Sequence, residues 1–189
     1  MRLLVTGATG FVGNVLLDLI PRVLDYSRLS LLALPGDPGR SRLQARGIPG
    51  AQLLDGDVTD AAQVDAAVQG HTHVIHLAGL ISYWGRDRVR LDAVNRGGVH
   101  NVVRACLRHG VKRLVHVSSV GAVGFRQDGT PADEDTPFNW PRGFPYMQTK
   151  HAGQQIVEQA ARDQGLPAVI LNPASLMGPG DPDPGSPHN

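Results

Sequence analysis

The sequence predicts an α/β protein built on a doubly wound parallel sheet. Short apolar runs alternate with segments of helical spacing along the chain, and 23 glycines and 14 prolines separate them. Apolar strands that alternate with helices indicate a parallel sheet covered on both faces, because parallel strands need crossovers that lay helices over the sheet. The length of 189 residues is that of one ordinary domain.

Composition excludes several classes of protein. Eighteen basic and 17 acidic side chains leave a formal charge of +1, which lacks the one-sided field of a nucleic-acid or membrane-surface binder. The single cysteine, Cys106, excludes an internal disulfide framework and a Cys-rich metal site, and it fits a reducing compartment. No window approaches the ~20 apolar residues of a membrane span. We therefore expect a cytoplasmic protein with neither nucleic acid nor membrane as a partner.

The first half of the chain predicts four strands and three helices. The strands are expected at residues 2–6, 29–33, 51–54 and 73–77, and the helices at residues 11–20, 41–46 and 61–69. Phe11, Val15 and Leu19 recur with the spacing of one helical face. Thr59 or Asp60 is placed to cap the third helix, because either side chain offers an oxygen to free N–H groups.

The second half continues the same alternation. A long helix is expected at about residues 88–108, ending before Gly110 in a left-handed cap. Strands follow at residues 113–118 and 168–172, with a helix at about 146–163 between them. Residues 121–145 are rich in Pro and Gly and show no periodicity. Residues 1–177 should form the domain, and residues 178–189 either a flexible tail or the start of a further lobe.

A GxxGxxG motif lies between the first strand and the first helix, which is the place where a dinucleotide binds in such sheets. Glycine lets backbone N–H groups approach a pyrophosphate, and the start of the helix offers unpaired donors. A tight turn without a ligand is the alternative, and the strand–turn–helix context favours the dinucleotide. The residues expected to bind it here are Gly7, Thr9, Gly10, Phe11, Val12 and Gly13.

Tyr146 and Lys150 stand four residues apart at the start of the last helix and so share one helical face. An ammonium beside a phenol favours the ionised phenol, which would lower the pKa of Tyr146 towards the working range of an acid or base. An ordinary aromatic–cation pair is the alternative. Ser118 and Ser119 end the fifth strand, where a hydroxyl could donate to a developing oxyanion or simply cap a turn.

In this order, and together with Asp57-Val58, the segment 76–79 (HLAG) and Asn95, these motifs resemble the short-chain dehydrogenase/reductase superfamily. The resemblance spans nearly the whole chain and is to the extended, epimerase/dehydratase-like branch, nearest its dihydroflavonol-reductase and 3β-hydroxysteroid-dehydrogenase-like group. It implies a Rossmann fold that binds NAD(P) through the glycine loop. It also implies further cofactor contacts at Asp57, Val58, Leu77, Ala78, Gly79, Ser118 and Pro173.

The same resemblance implies the catalytic roles. Tyr146 would be the acid/base, Lys150 would hold the nicotinamide ribose and assist the tyrosine, and both would touch the cofactor. Ser119 would polarise the substrate oxygen, with Ser118 as the second choice. Asn95 matches the start of the family's NVxGTxN helix and is the fourth candidate. Asn172 departs from the family pattern, which has Arg at this position.

The choice between NADP and NAD depends on the end of the second strand. No acidic residue stands there to bind a ribose 2′-hydroxyl, and Asp37 comes three residues late. Arg40 and Arg42 follow, and arginines in this region accommodate a 2′-phosphate. The sequence therefore favours NADP over NAD, with Arg40 as a cofactor contact, unless both arginines belong to a solvated helix face.

Two other clusters contain residue types that could bind a metal or a substrate. His71, His73 and His76 do not predict a metal site, because strand alternation sends His73 and His76 to opposite faces. Aromatic residues at 138–144 and at 83–84, with Arg86, either contact substrate or pack under a long loop.

The implied function is an oxidoreductase that transfers hydride between a nicotinamide cofactor and a small carbonyl or alcohol substrate. A nucleotide-sugar epimerase or dehydratase and a non-catalytic NAD(P)-binding sensor or scaffold are the alternatives. By resemblance, the helices starting near residues 88 and 146 would form a homodimer interface. Family members normally continue into a substrate lobe, so this chain is expected either to be a fragment or to lack most of that lobe.

Overall fold

The computed structural model describes residues 1–178, which form one parallel six-stranded sheet with helices on both faces. The strands are β1 (Arg2–Thr6), β2 (Arg28–Ala33), β3 (Ala51–Asp55), β4 (His73–His76), β5 (Arg113–Val117) and β6 (Ala168–Leu171). The helices are α1 (Phe11–Val23), α2 (Gly39–Arg46), α3 (Ala61–Val68), α4 (Arg88–Asp92), α5 (Val99–Arg108) and α6 (Pro145–Gln164). The predicted doubly wound fold is confirmed. Apart from Gly178, the tail predicted at residues 178–189 lies outside the described residues.

The strand order β3-β2-β1-β4-β5-β6 determines where a ligand can bind. After β1 the chain adds β2 and β3 on one side of it. The chain then crosses back, so that β4 lies on the other side of β1. Loops leaving β1 and β4 therefore turn to opposite faces, and a crevice opens between them at the carboxyl edge of the sheet.

Alternating side chains of the strands supply two cores, one on each face of the sheet. Leu3 and Val5 point towards α1 and α2, whereas Leu4 points towards α3, α5 and α6. All three are at most 1% exposed, as expected for a central parallel strand. Packing on both faces holds the carboxyl ends of β1, β4 and β5 in fixed positions relative to one another.

The predicted continuous helix over residues 88–108 is wrong in one respect. A π-helical turn, Ala93–Gly98, separates α4 from α5. Two glycines, Gly97 and Gly98, weaken the α-helix here, and Gly98 packs closely against Val58. The wider turn buries Asn95, which is 2% exposed, and such turns are frequent at functional sites.

Smaller differences occur at other helix ends. The first helix was expected at residues 11–20, but α1 continues to Val23 with Pro21 inside its last turn. Of the two candidate caps of α3, Asp60 is the one used, because its carboxylate accepts hydrogen bonds from the N–H groups of Ala62 and Gln63. Among residues 1–178, no helix has both the length and the apolar character needed to cross a membrane.

Two histidines are buried side by side in the core beneath the carboxyl edge. His76 of β4 and His116 of β5 are partners in register, and their rings stack with centroids 5.5 Å apart. Thr6 Oγ1 lies 2.6 Å from His76 Nδ1, whereas neither ring nitrogen of His116 has a hydrogen-bond partner among the described residues. Burial lowers the pKa of His76 to about 3 and holds the pKa of His116 well below its ordinary value. Both rings are therefore neutral at pH 7.

This pair should make the fold sensitive to acid. As the pH falls from about 6.5 towards 3, the unfolded chain protonates histidines that the folded chain keeps neutral, so stability is lost across that window. We expect His116→Leu to remove up to about 2 kcal/mol of the loss between pH 7 and pH 5, measured by urea unfolding. His100→Leu, at an exposed site on α5, is the matched control. The same pH dependence in wild type and His116→Leu would contradict this prediction.

Candidate active site at the carboxyl edge of the sheet

The loop between β1 and α1 packs directly on the segment that follows β4. Gly7 has a φ of +73°, and a Cβ there would lie 2.5 Å from the backbone nitrogen of Ala78. A Cβ on Gly13 would lie 2.5 Å from the carbonyl oxygen of Gly7, so α1 sits close against the end of its strand. Both glycines are therefore required by the fold itself.

Gly10 differs, because its nearest contact would be an ordinary 3.5 Å to the oxygen of Gly7 and the residue is exposed. It caps α1 without any side-chain hydrogen bond, and no acidic residue occupies the first turn. Free N–H groups of Phe11 and Val12 then face the crevice with the positive end of the helix dipole. This arrangement fits an anionic diphosphate, as the motif predicted.

Gly79 brings two predicted catalytic residues together across the crevice. A Cβ at Gly79 would lie 3.3 Å from Lys150 Nζ and 3.4 Å from Asn95 Oδ1. The Asn95 amide clamps Leu80 on both sides: Oδ1 accepts from its N–H at 2.8 Å and Nδ2 donates to its carbonyl at 2.9 Å. Asn95 therefore shapes the segment after β4 that lines the crevice.

Lys150 reaches the carboxyl end of β5 from α6. Its ammonium donates to the carbonyl oxygen of Val117 at 3.3 Å, and the side chain is buried. Burial lowers the pKa of Lys150 from its ordinary value to about 8. The group therefore remains mostly charged at neutral pH and prefers a partner that compensates for its lost hydration.

Tyr146 lies one turn before Lys150 and is 8% exposed, next to the turn that follows β5. Burial raises the pKa of the Tyr146 phenol, and interaction with the Ser119 hydroxyl works in the opposite direction. The expectation that Lys150 lowers this pKa is therefore corrected. The phenol of Tyr146 and the ammonium of Lys150 are both buried. The cost of burying the charged phenolate raises the pKa of Tyr146 more than the Ser119 hydroxyl lowers it. Tyr146 is protonated at neutral pH, which is the form of a proton donor.

The two serines after β5 have different surroundings. Ser118 is buried and donates from Oγ to Gln154 Oε1 at 2.8 Å, so its hydroxyl points into the protein. Ser119 Oγ accepts from the N–H of Gly121 at 3.1 Å, and its hydroxyl lies beside the phenol of Tyr146, with which it interacts. This geometry favours Ser119 over Ser118 as the group that faces a substrate.

The end of the crevice beside β2 contains the carboxylate of Asp37, which was not expected at the site. Thr9 Oγ1 donates to Asp37 Oδ2 at 2.7 Å, so Asp37 sits against the glycine loop despite its late position in the sequence. Arg40 instead donates to Asp55 at 2.5 Å and to the carbonyl oxygens of Ala33 and Leu34. Its guanidinium is thus already engaged at the ends of β2 and β3.

Asp57 and Val58 follow β3 and form part of the wall next to α5. Asp57 Oδ1 accepts from the N–H of Thr59 at 2.8 Å, and Asn101 donates to the carbonyl of Val58 at 3.0 Å. At the other end, the carbonyl of Pro173 accepts from the N–H of Val120 at 3.0 Å, which ties the segment after β6 to the turn containing Ser119.

Of the two aromatic clusters, the one around residue 140 packs on itself, whereas Tyr83 of the other approaches the site. Trp140 packs edge-on against Phe125 and Phe144, and Phe138 stacks on His151, so most of the loop around residue 140 is held by its own side chains. Tyr83 does approach the site, with its ring centroid 5.8 Å from that of Tyr146. It is 57% exposed and forms one rim of the crevice.

The histidines weighed for a metal have other contacts. His71 Nε2 lies 2.9 Å from Ser30 Oγ, and His76 contacts Thr6 as described above. Within residues 1–178, no group of three or more His, Cys, Asp or Glu side chains is placed to hold a metal ion.

The sequence profile of the NAD-dependent epimerase/dehydratase family matches residues 3–189. The chain belongs to this family. Family membership agrees with the crevice, the glycine loop and the Tyr146–Lys150 pair at one edge of the sheet.

Several relatives of this family member are known. It is 35% identical to mouse (Mus musculus) 3 beta-hydroxysteroid dehydrogenase type 7 over 94% of this chain and 50% of that protein. It is 34% identical to a putative dihydroflavonol 4-reductase of Synechocystis sp. over 94% of this chain and 50% of that protein. A solved short-chain dehydrogenase/reductase superfamily protein from Agrobacterium tumefaciens with bound NAD superposes with a TM-score of 0.77 at 27% identity, over 94% of this chain and 50% of that one.

The chain therefore spans about half the length of the curated relatives it matches. The sequence did not predict Gln154, which accepts from Ser118, or the position of Asp37 against Thr9. Spacing could have revealed Gln154, because it lies one helical turn after Lys150 and continues the same face.

Proposed function

We propose that this member of the NAD-dependent epimerase/dehydratase family is an oxidoreductase that uses Ser119, Tyr146 and Lys150 to interconvert a carbonyl and an alcohol. The observation that carries the proposal is the convergence of these side chains on the crevice that the glycine loop opens. The named activities of the mouse and Synechocystis relatives, a hydroxysteroid dehydrogenase and a putative dihydroflavonol reductase, support the same reaction class.

The nicotinamide cofactor supplies the hydride chemistry when bound. Phe11 and Val12 offer N–H groups to its diphosphate, and the Lys150 ammonium lies near Gly79, where a ribose hydroxyl could accept a hydrogen bond. Tyr146, protonated at neutral pH, gives its phenolic proton to the substrate oxygen during reduction. The hydroxyl proton of Ser119 stabilises the negative charge developing on that oxygen. In oxidation, the same groups act in reverse.

Titration with NADH and NADPH, followed by turnover assays on a panel of 3-ketosteroids, dihydroflavonols and small aldehydes, tests the proposal. We expect saturable binding and oxidation of the reduced cofactor with at least one carbonyl compound. Binding without turnover on any carbonyl would favour the non-catalytic module. Turnover only of a nucleotide sugar, without net consumption of cofactor, would favour the epimerase alternative. Because related proteins are about twice as long, the assay should include any polypeptide encoded beyond Asn189.

The contacts at the adenosine end support NAD rather than the NADP favoured by the sequence. The Asp37 carboxylate lies against Thr9 of the glycine loop, where it can accept from a ribose 2′-hydroxyl and would repel a 2′-phosphate. Arg40, the expected phosphate contact, is paired with Asp55. A homodimer formed through the helices that start near residues 88 and 146 remains part of the proposal.

Asp37→Ser should therefore weaken the preference for NAD. The carboxylate is replaced by a small hydroxyl, so NADH affinity should fall about tenfold while NADPH affinity rises. Calorimetric titration of both cofactors measures the change. Asp25→Ser, remote from the loop, is the control. A wild-type protein that binds NADPH more tightly than NADH would overturn this cofactor assignment.

A further inference from the structure

A network of buried polar groups joins β5, β6 and α6 directly behind the candidate site. Gln154 is 6% exposed, and its Oε1 accepts from Ser118 Oγ at 2.8 Å and from Asn172 Nδ2 at 2.7 Å. Its Nε2 donates to Glu158 Oε1 at 2.8 Å. Both ends of the amide are therefore used, and its orientation is determined by its partners.

Asn172 extends this network to the backbone of Ser119. Its Nδ2 donates both to Gln154 Oε1 and, at 2.8 Å, to the carbonyl oxygen of Ser119. The neighbouring N–H groups are held by main-chain partners, Ser118 by Leu171 at 2.8 Å and Val120 by Pro173 at 3.0 Å. The carbonyl of Ser119 lies beyond the end of β6. The side chain of Asn172 therefore supplies the hydrogen bond that a strand backbone would otherwise give it.

We propose that Asn172 and Gln154 are positioning residues for Ser119, holding its peptide so that its hydroxyl points into the crevice beside Tyr146. Gln154 presents an acceptor that orients the Asn172 amide, and Asn172 fixes the Ser119 carbonyl. The inference rests on the proposed role of Ser119. It also gives a physical reason for Asn at position 172, since a neutral donor there matches the neutral acceptor of Gln154.

The N–H of Gly121 reports on this position, because it donates to Ser119 Oγ at 3.1 Å. Amide hydrogen exchange followed by NMR measures its protection without cofactor or turnover. We expect Asn172→Leu, which removes the donor at similar volume, to speed exchange at Gly121 by about tenfold, close to the rate in Ser119→Ala. In the Ser119→Ala background, Asn172→Leu should not speed exchange at Gly121 any further, since the hydrogen bond from Gly121 to Ser119 Oγ is already lost.

Gln154 provides a second, matched pair of variants. Gln154→Leu removes the acceptor and should also speed exchange at Gly121. Gln154→Glu combined with Glu158→Gln keeps an acceptor for Ser118 and Asn172 while reversing the bond to residue 158, so protection at Gly121 should return. Gln155→Leu, at an exposed site on the same helix, is the control and should leave Gly121 at the wild-type rate.

Two results would overturn the inference. Unchanged exchange at Gly121 in folded Asn172→Leu and Gln154→Leu would show that Ser119 does not depend on them. Equal loss of protection at Gly121 and at the core amide of Leu114 would show a general structural role. If Asn172→Leu does not fold, the Gln154 variants decide alone. A wild type without turnover, combined with the expected exchange changes, would refute the proposed function and leave the positioning intact.

Discussion

Tyr146→Phe is expected to lower the rate of carbonyl reduction by about 10²–10⁴-fold, the usual contribution of a positioned general acid. Phe keeps the ring that packs edge-on against Tyr83 and removes only the hydroxyl, so the fold and the affinity for NADH should be retained. Single-turnover oxidation of NADH by the best substrate of the carbonyl panel measures the loss. A reduced rate at unchanged cofactor affinity would assign the phenol to the chemical step.

Tyr26→Phe is the matched control for this variant. Tyr26 donates to the carbonyl of Pro49 at 3.0 Å, outside the crevice, so its loss should leave the rate unchanged. Full turnover by Tyr146→Phe would contradict the assignment of the acid. Equal losses in both variants would point to a general effect of removing a tyrosine hydroxyl.

Gly10→Ala and Gly13→Ala should separate cofactor binding from folding. A methyl group at Gly13 would meet Gly7 oxygen at 2.5 Å and Ala8 Cα at 2.6 Å, both backbone atoms that cannot move aside easily. We expect a loss of about 1–3 kcal/mol or more in the free energy of unfolding. At Gly10 the same methyl group makes only an ordinary 3.5 Å contact at an allowed φ of −78°.

Gly10→Ala should lower the free energy of unfolding by only about 0.5–1 kcal/mol, the cost of replacing Gly by the poorer N-cap residue Ala. The added methyl group occupies the space in front of α1 where a diphosphate would lie, so NADH affinity should fall at least about tenfold. Thermal unfolding and calorimetric titration of the two variants give both quantities. Unchanged NADH affinity in Gly10→Ala would contradict the placement of the diphosphate at this helix end.

Most of the fold could be predicted from the sequence, because most of its strands, helices and turns depend on residues close together in the chain. The apolar run from Leu3 to Val5, the glycine loop and the capping group at Asp60 each depend on neighbouring residues. The π-helical turn at Ala93–Gly98 was missed because it depends on tertiary contacts, Asn95 with Leu80 and Gly98 with Val58. No periodicity in the sequence reports such contacts.

In the candidate site too, features that depend on neighbouring residues were predicted and features that depend on tertiary contacts were not. Spacing correctly brought Tyr146 and Lys150 to one helical face, yet it misjudged the pKa of Tyr146, since burial is a property of the whole fold. Asp37 was discounted by its sequence position, although the turn after β2 returns its carboxylate to Thr9. The Gln154–Asn172 bond joins residues 18 apart on different elements and leaves no pattern in the sequence.

A crystal structure of the protein with bound NADH would show directly whether the crevice holds the cofactor. We expect the diphosphate on the N–H groups of Phe11 and Val12, a ribose hydroxyl at Lys150, and the nicotinamide ring beside the hydroxyl of Tyr146. A nucleotide bound elsewhere, or a nicotinamide ring on the opposite face of the sheet from Tyr146, would contradict this placement.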